Sequence, residues 1–235
     1  MLTVAILAGG LATRLQPILK EAPKSLIEIC GKPFIDWQLR LLTSSGVERV
    51  VLCTSHKSEM IEDYVGDGGK YGIEINYSKD GPTQLGTGGA IKKATQILEE
   101  KFMVLYGDSY LPIDYKSVQS AFEILNEAAL MTIYKNSNKF DTSNVSFEFN
   151  KVKNYSKASN SSEFNYIDFG LSFFNKSVFD AYSLDAKFDL SETFSALCKA
   201  NQLAAYEVKE RFYEVGSISG ISDFTEYINR SQNVI

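Results

Sequence analysis

The opening stretch MLTVAILAGG constrains the fold more than any other part of the chain. Residues 2–7 are apolar without polar alternation, the pattern of a parallel strand covered on both faces. Gly9 and Gly10 end the run, and Arg14, Pro23 and Lys24 follow in the same connection. The pattern of buried strand, loop and helix then recurs. Pro33 precedes Phe34, Trp37, Leu41 and Leu42 at helical spacing, with Gly46 just beyond. Residues 50–53 read as a second buried strand, 59–65 as a short helix and 73–77 as a third strand. The loop GPTQLGTGG, residues 81–89, opens a helix expected to reach about Glu99, with Lys92 and Lys93 as a solvated face in its first turns. Residues 102–106 form another buried strand, ending in Gly107 and Asp108. This alternation predicts an α/β fold, a doubly wound and mostly parallel mixed sheet, with ligands beyond the carboxyl ends of its strands.

After Asp108 the pattern changes. A helix over 115–126 leads to a strand over 129–135 and then to ground rich in Asn, Ser and Lys. There Val145, Phe147 and Phe149 alternate, and 152–155 is placed to pair with them as a hairpin. SNSSEF, residues 159–164, reads as a mobile loop. A strand over 166–174, a helix over 189–200 with Asp189 or Ser191 near its N-cap, a strand over 203–208 and a terminal helix from about Ile221 complete the chain. This half reads as an α+β elaboration covering the open end of the sheet.

Several function classes are excluded early. A net charge of -5 argues against a general nucleic-acid surface, which needs a basic face. No apolar run reaches the ~18 to 20 residues of a membrane span, and the N-terminus lacks a basic leader region, so a cytoplasmic protein with no membrane partner is expected. Cys30, Cys53 and Cys198 are odd in number and widely spaced, which suits reduced core thiols rather than a disulfide framework or zinc site. His56 is the only histidine, so carboxylates, lysines and arginines must carry the chemistry.

The stretch LAGGLATRLQPILKEAPKSL, residues 7–26, has neither the spacing of a P-loop nor that of a dinucleotide fingerprint. Its chemistry still points to a triphosphate cradle. Adjacent glycines permit positive φ and close backbone approach, so consecutive N–H groups can face phosphate oxygens. Arg14 can fork onto two oxygens, while Lys24, its exit set by Pro23, supplies a point charge. Asp108 reads either as a ligand-binding acid at a strand end or as a helix N-cap.

These motifs together resemble the sugar-1-phosphate nucleotidyltransferases. LAGGLATRL followed by PKSL is similar to that family's LAGGxGTRL signature and its later PK. LGTGGAIKKA resembles its base-binding loop, VLYGDS its metal-binding strand end, and FYEVGS its late WxDVGT-like segment. The nearest branches in pattern are the heptose 1-phosphate guanylyltransferases and the N-acetylmuramate 1-phosphate uridylyltransferases. The resemblance implies a Rossmann-like nucleotidyltransferase fold forming one domain over 1–235. Within it, 1–110 would be a nucleotide-binding half, 111–220 a sugar-phosphate-binding half and 221–235 a terminal helix.

By position, the resemblance places Leu7, Ala8, Gly9 and Gly10 against the nucleotide and Arg14 and Lys24 on the phosphates that leave as pyrophosphate. Gly86, Thr87 and Gly88 would meet the base and ribose, with Gln84 a further reader of the base edge. Asp108 and Glu214 would bind Mg²⁺, the implied cofactor, with Asp108 catalytic beside Arg14 and Lys24. Lys157 would meet the acceptor's phosphate, Gly170 would floor the sugar pocket, and Asp168 would either accept from sugar hydroxyls or simply point outward. The partners implied are an NTP and a sugar 1-phosphate, with GTP and heptose 1-phosphate foremost and a surface polysaccharide as the destination. The chain would act as a monomer or homodimer.

Three positions depart from the family pattern. Ala12 stands where a glycine is usual, Ser25 follows Lys24, and Glu214 replaces an aspartate. Two rival functions also fit. One is a non-catalytic nucleotide-sugar sensor. The other is a cytidylyltransferase acting on a non-sugar phosphate such as phosphocholine, for which Tyr166, Phe169 and Phe173 would supply an aromatic cage.

Overall fold

The computed structural model describes residues 1–10, 22–55, 57–157 and 163–232. Strand β1 (Val4–Leu7) is buried at every position because both of its faces are covered. Val4, Ile6 and Ala8 belong to one core cluster, and Ala5 and Leu7 to the cluster on the opposite face. Beside it run β4 (Arg49–Thr54), β5 (Glu74–Lys79) and β6 (Lys101–Tyr106), all parallel, in the order β5-β4-β1-β6. Helices α1 (Phe34–Ser44), α2 (Ser58–Val65) and α4 (Tyr115–Leu125) cover the first face through Ile35, Leu39, Ile61, Val65, Val118 and Phe122. Helices α3 (Gly86–Ala94) and α5 (Leu190–Lys199) cover the second through Ile91, Ala94, Phe194 and Leu197. Helices on both faces of one sheet are the doubly wound α/β arrangement that the sequence predicts.

The second half does not form a separate layer over the strand ends. Its strands β8 (Ala129–Lys135), β9 (Val145–Glu148), β10 (Lys151–Tyr155), β11 (Tyr166–Asn175) and β12 (Leu203–Val208) extend the same sheet to nine strands, as β6-β11-β8-β12-β10-β9. β11 enters antiparallel to both β6 and β8, and it is bulged between Asp168 and Ser172, where Gly170 has φ +101°. The hairpin of β9 and β10 forms as the alternation suggests.

Other local readings shift. α3 ends at Ala94, not Glu99, and Lys92 and Lys93 lie in its last turn. Lys93 is not simply solvated, because its Nζ donates to the Asp80 carbonyl at 2.8 Å. The terminal helix, α6, begins at Ile218 and spans Ile218–Gln232. Of the cysteines only Cys53 is buried; Cys30 is exposed in the tight turn joining β2 (Glu28–Ile29) to β3 (Lys32–Pro33), where Cys30 and Gly31 both have positive φ. His56, Ala12 and residues 159–162 of the SNSSEF loop lie outside the described residues; Phe164, at the end of that loop, is buried. No helix among the described residues is long and apolar enough to cross a membrane.

Candidate active site

The site is built on the carboxyl ends of β1 and β6. The two strands pair through Leu7 and Tyr106, and the Gly107 N–H donates to the Leu7 carbonyl at 3.1 Å. A Cβ on Gly107 would lie 2.3 Å from that same oxygen, so only glycine allows the strand ends to close this far. Gly9 and Asp108 are thereby held beyond adjacent strands. Asp108 opens no helix. It leads into β7 (Ser109–Tyr110), which pairs antiparallel with β13 (Tyr213–Glu214), so the N-cap alternative falls away.

Lys24 arrives from another direction. Pro23 is extended, and a single 3-10 turn over Lys24–Leu26 follows it. Lys24 Nζ then lies 2.5 Å from Asp108 Oδ2. Glu214, opposite Ser109 in the β13–β7 pair, accepts from the Gly216 N–H and from the Ser217 hydroxyl. The three charged groups meet around Gly216. The point a Cβ would occupy there lies 2.6 Å from Glu214 Oε2, 2.7 Å from Lys24 Nζ and 3.5 Å from Asp108 Oδ2.

A cavity of about 350 Å³ runs from Lys24 and Asp108 along the strand ends, with Glu214 just outside its lining. Leu7, Ala8, Gly9, Gly10, Lys24, Gln84, Gly86, Thr87 and Asp108 all line it. Gly9 and Gly10 do not use positive φ. At Gly9 it is space that matters, because its carbonyl accepts from Ser55 Oγ at 2.8 Å and a Cβ would lie 2.9 Å from that oxygen. Gln84 Nε2 donates to the same Ser55 Oγ at 3.2 Å, tying the two glycine loops together. Gly86 and Thr87 form the first turn of α3 rather than a free loop, and Thr87 Oγ1 accepts from the Leu190 N–H at 2.8 Å. Gly88 is buried against the Phe188 ring and does not line the cavity. Arg14 lies outside the described residues.

Lys157, Asp168 and Gly170 form a second group, outside the cavity lining. Lys157 is exposed and pairs with Asp189 at 2.9 Å. Asp189 is also the N-cap of α5, in a capping box with Glu192. Burial opposes its ionisation, but bonds from Ser191 and Lys157 prevail and hold its pKa below the usual carboxylate value. Asp168 is half-buried, and its Oδ1 accepts from the Gly170 N–H at 3.0 Å. Burial pushes its pKa up to about 6, against the pull of that N–H and of Lys157. The bridge between the two groups is Tyr106, which lines the cavity and against which Gly170 packs. Burial raises the Tyr106 phenol well above its ordinary pKa, and Asp168, Tyr155, Asp189 and Asp108 add to the effect. The proposed aromatic cage does not form: Phe169 and Phe173 are core residues, and Tyr166 packs edge-on against Phe147.

The structure adds three residues that the sequence did not single out. Gln38, fully buried on α1, donates from Nε2 to the carbonyls of Tyr106 and Ser109 at 3.1 and 2.7 Å, bracketing the turn that carries Asp108. Ser55 links Gly9 to Gln84. Asp80 lines the cavity from the end of β5. Its sequence context, an Asp-Gly pair after a strand, signals only a turn.

Two carboxylates from different strand ends around one point suit a hard divalent cation, which takes few protein ligands and keeps several waters. Among the described residues no group of three or more His, Cys, Asp or Glu side chains gathers. Beyond Lys24 and the glycine backbone, the cavity has the size of a small-molecule site.

Known proteins resemble this chain over nearly its whole length. It is 32% identical over 221 residues to the D-glycero-alpha-D-manno-heptose 1-phosphate guanylyltransferase of Campylobacter jejuni, covering 90% of this chain and 93% of that one. A protein of the same name from Aneurinibacillus thermoaerophilus is 36% identical over 193 residues, covering 80% and 81%. Among solved structures, HddC from Yersinia pseudotuberculosis, complexed with GMP-PN, superposes with a TM-score of 0.82 at 26% identity, covering 97% of this chain and 100% of that one. The family model described as nucleotidyl transferase matches residues 3–231, and the chain belongs to that family.

Proposed function

We propose that this protein transfers the guanylyl group of GTP to a sugar 1-phosphate of the heptose class, releasing pyrophosphate and forming a GDP-sugar for surface polysaccharide synthesis in the cytoplasm. The observation that carries the reading is the convergence of Lys24, Asp108 and Glu214 on one point, at one end of a cavity walled by Gly9, Gly10 and the start of α3. The names of the relatives support the choice of guanine and of heptose.

In this reading an ionised phosphate oxygen of the acceptor attacks the α-phosphorus of the nucleotide. The bond from that phosphorus to the bridging oxygen of pyrophosphate breaks, in line with the new bond. No proton must be moved, so a chain with one histidine suffices. The barrier is one of charge and alignment, and alignment supplies up to ~7 to 11 kcal/mol. Lys24 and Arg14 neutralise the departing phosphates, and the Gly9 and Gly10 backbone fixes their place. Asp108 and Glu214 would hold Mg²⁺, which supplies charge neutralisation between nucleotide and acceptor. Lys157, Asp168 and Gly170 are read as the acceptor side, joined to the nucleotide side through Tyr106. The division into a nucleotide half, an acceptor half and a terminal helix belongs to the same proposal.

A pyrophosphate-release matrix tests it. GTP, CTP, UTP, ATP and dTTP are crossed with sugar 1-phosphates, including heptose 1-phosphate, and with phosphocholine. Release with GTP and heptose 1-phosphate is expected. Release only with CTP and phosphocholine would move the protein to the other chemistry, and silence throughout would favour a nucleotide-sugar sensor.

A further inference from the structure

The cavity has two chemically different ends. Asp108 stands beyond β6 and Asp80 beyond β5, separated in the order β5-β4-β1-β6 by three strand spacings, roughly 14 Å. A nucleotide with its phosphates at Gly9, Lys24 and Asp108 would lie across the strand ends with its base toward β4 and β5. At that end Cys53 and Ala90 offer apolar walls, and among the described residues Asp80 is the one charged side chain in the lining there. The Cys53 thiol is fully buried and its pKa is pushed up to about 12 by burial, so it is a neutral wall and not a reactive group.

Asp80 is only 9% exposed. Its own N–H continues the sheet by donating to the Thr54 carbonyl at 3.0 Å, which fixes the backbone at the edge of the base end. Its Oδ2 accepts from the Leu85 N–H at 3.1 Å. The nearby cation, Lys93, donates to the Asp80 main-chain carbonyl instead of to the carboxylate. Among the described residues this carboxylate therefore receives one hydrogen bond and forms no ion pair, although two oxygens offer about four acceptor sites. Burial raises its pKa, against the pull of the Leu85 N–H and of Lys93, as befits an anion short of donors. A buried carboxylate in this condition needs further donors, and the cavity is the side from which they can come.

We propose that Asp80 selects the base, accepting the N1–H and the 2-amino N–H of guanine on its carboxylate. This rests on reading the cavity as the nucleoside triphosphate site. Guanine is the common base whose Watson–Crick edge places two donors side by side. Adenine and cytosine each put a ring-nitrogen lone pair beside their amino group, and uracil flanks its single N–H with carbonyl oxygens. Each of these sets lone pairs against a buried anion, so the group that binds guanine also rejects the others.

Calorimetric titration with GTP, ITP and UTP, without any sugar, tests this independently of the acceptor. ITP keeps N1–H and lacks the 2-amino group. The wild-type protein should bind GTP about tenfold or more tighter than ITP, and UTP weaker still. Asp80→Asn keeps an oxygen for the Leu85 N–H but replaces an acceptor by a donor. It should weaken GTP binding about 10- to 100-fold and bring the GTP/ITP ratio close to one. A wild-type protein that binds GTP but does not distinguish it from ITP would overturn the inference alone, as would a folded Asp80→Asn protein with the ratio unchanged. If the variant does not fold, the wild-type ratio decides. Preference for UTP over GTP in the wild type would overturn both the choice of guanine and the role of Asp80.

Discussion

Lys24 Nζ and Asp108 Oδ2 lie 2.5 Å apart although 84 positions separate the two residues in the chain. The pair joins the turn after the first glycine loop to the end of β6, so a change in either is felt by both. In the proposed reaction Lys24 is the cation that meets the departing phosphates, and Asp108 is its partner in the structure. Lys24→Met is therefore expected to weaken nucleotide binding by about tenfold or more, as a charge-assisted contact is lost. Titration with GTP measures it, and unchanged affinity would place Lys24 outside the phosphate site.

Asp108 and Glu214 bear on the same point at Gly216 and should be lost at similar cost. Asp108→Asn is expected to lower kcat by about 10²- to 10³-fold, the range for removing one preorganised electrostatic partner. Glu214→Gln should cost nearly as much. Pyrophosphate release at saturating nucleotide reads both, and a fully active Glu214→Gln enzyme would remove Glu214 from the chemistry.

Gly216→Ala tests the crowding directly. The new methyl would meet the flexible ends of Glu214 and Lys24 and no backbone atom among its nearest neighbours. The fold should survive with little change in melting temperature while Glu214 and Lys24 are pushed apart, and kcat should fall at least about tenfold. Loss of folding would show that the glycine serves the backbone instead.

Gln38→Met removes both bonds that bracket the Asp108 turn and keeps the volume. Leaving the Tyr106 and Ser109 carbonyls short of a donor should cost about 2 kcal/mol, seen as a melting temperature lower by about 4 to 8 °C. Turnover should fall further than stability accounts for, because the turn that aims Asp108 loosens. Equal activity at a temperature where both proteins are folded would confine Gln38 to a structural role.

Asp168 sets a pH dependence. Its folded pKa is raised from 3.8 to about 6, so the protonated acid is the form the fold favours. Its contribution to stability is fully present below pH 3.8 and is lost as pH rises through 6, a change of at most about 3 kcal/mol. Asp168→Asn, which keeps an acceptor for the Gly170 N–H, should be more stable than wild type at pH 8 and should lack that part of the pH dependence. Parallel denaturation curves for the two proteins from pH 4 to 8 would refute it.

Much of the first half was legible because β1, β4 and β6 are marked by apolar runs and the ends of β1 and β6 by glycine, while β5 shows itself by alternation. Leu7 to Gly10 and Gly107 to Asp108 announce themselves this way. The second half was less so. A strand over 166–174 can be read locally, but nothing in its residues tells that β11 inserts between β6 and β8, since that choice is made by pairings across the sheet. Residues 95–99 contain no glycine or proline, so the sequence alone carries α3 on to about Glu99; in the structure it ends at Ala94, and the Thr95 hydroxyl donates to the Lys92 carbonyl.

By itself the sequence determined the chemistry available: glycines at strand ends, a single histidine, and a lysine and two acids in motifs that resemble those of the nucleotidyltransferases. Periodicity and end signals are local properties, so they survive in one dimension. The tertiary structure alone decided that Lys24, Asp108 and Glu214 share one point, that Gln38 brackets the Asp108 turn and that Asp80 lines the cavity. Those are relations between residues far apart in the chain, set by strand order and by which face each side chain takes. A chain of residues records such relations only through the packing that brings them together.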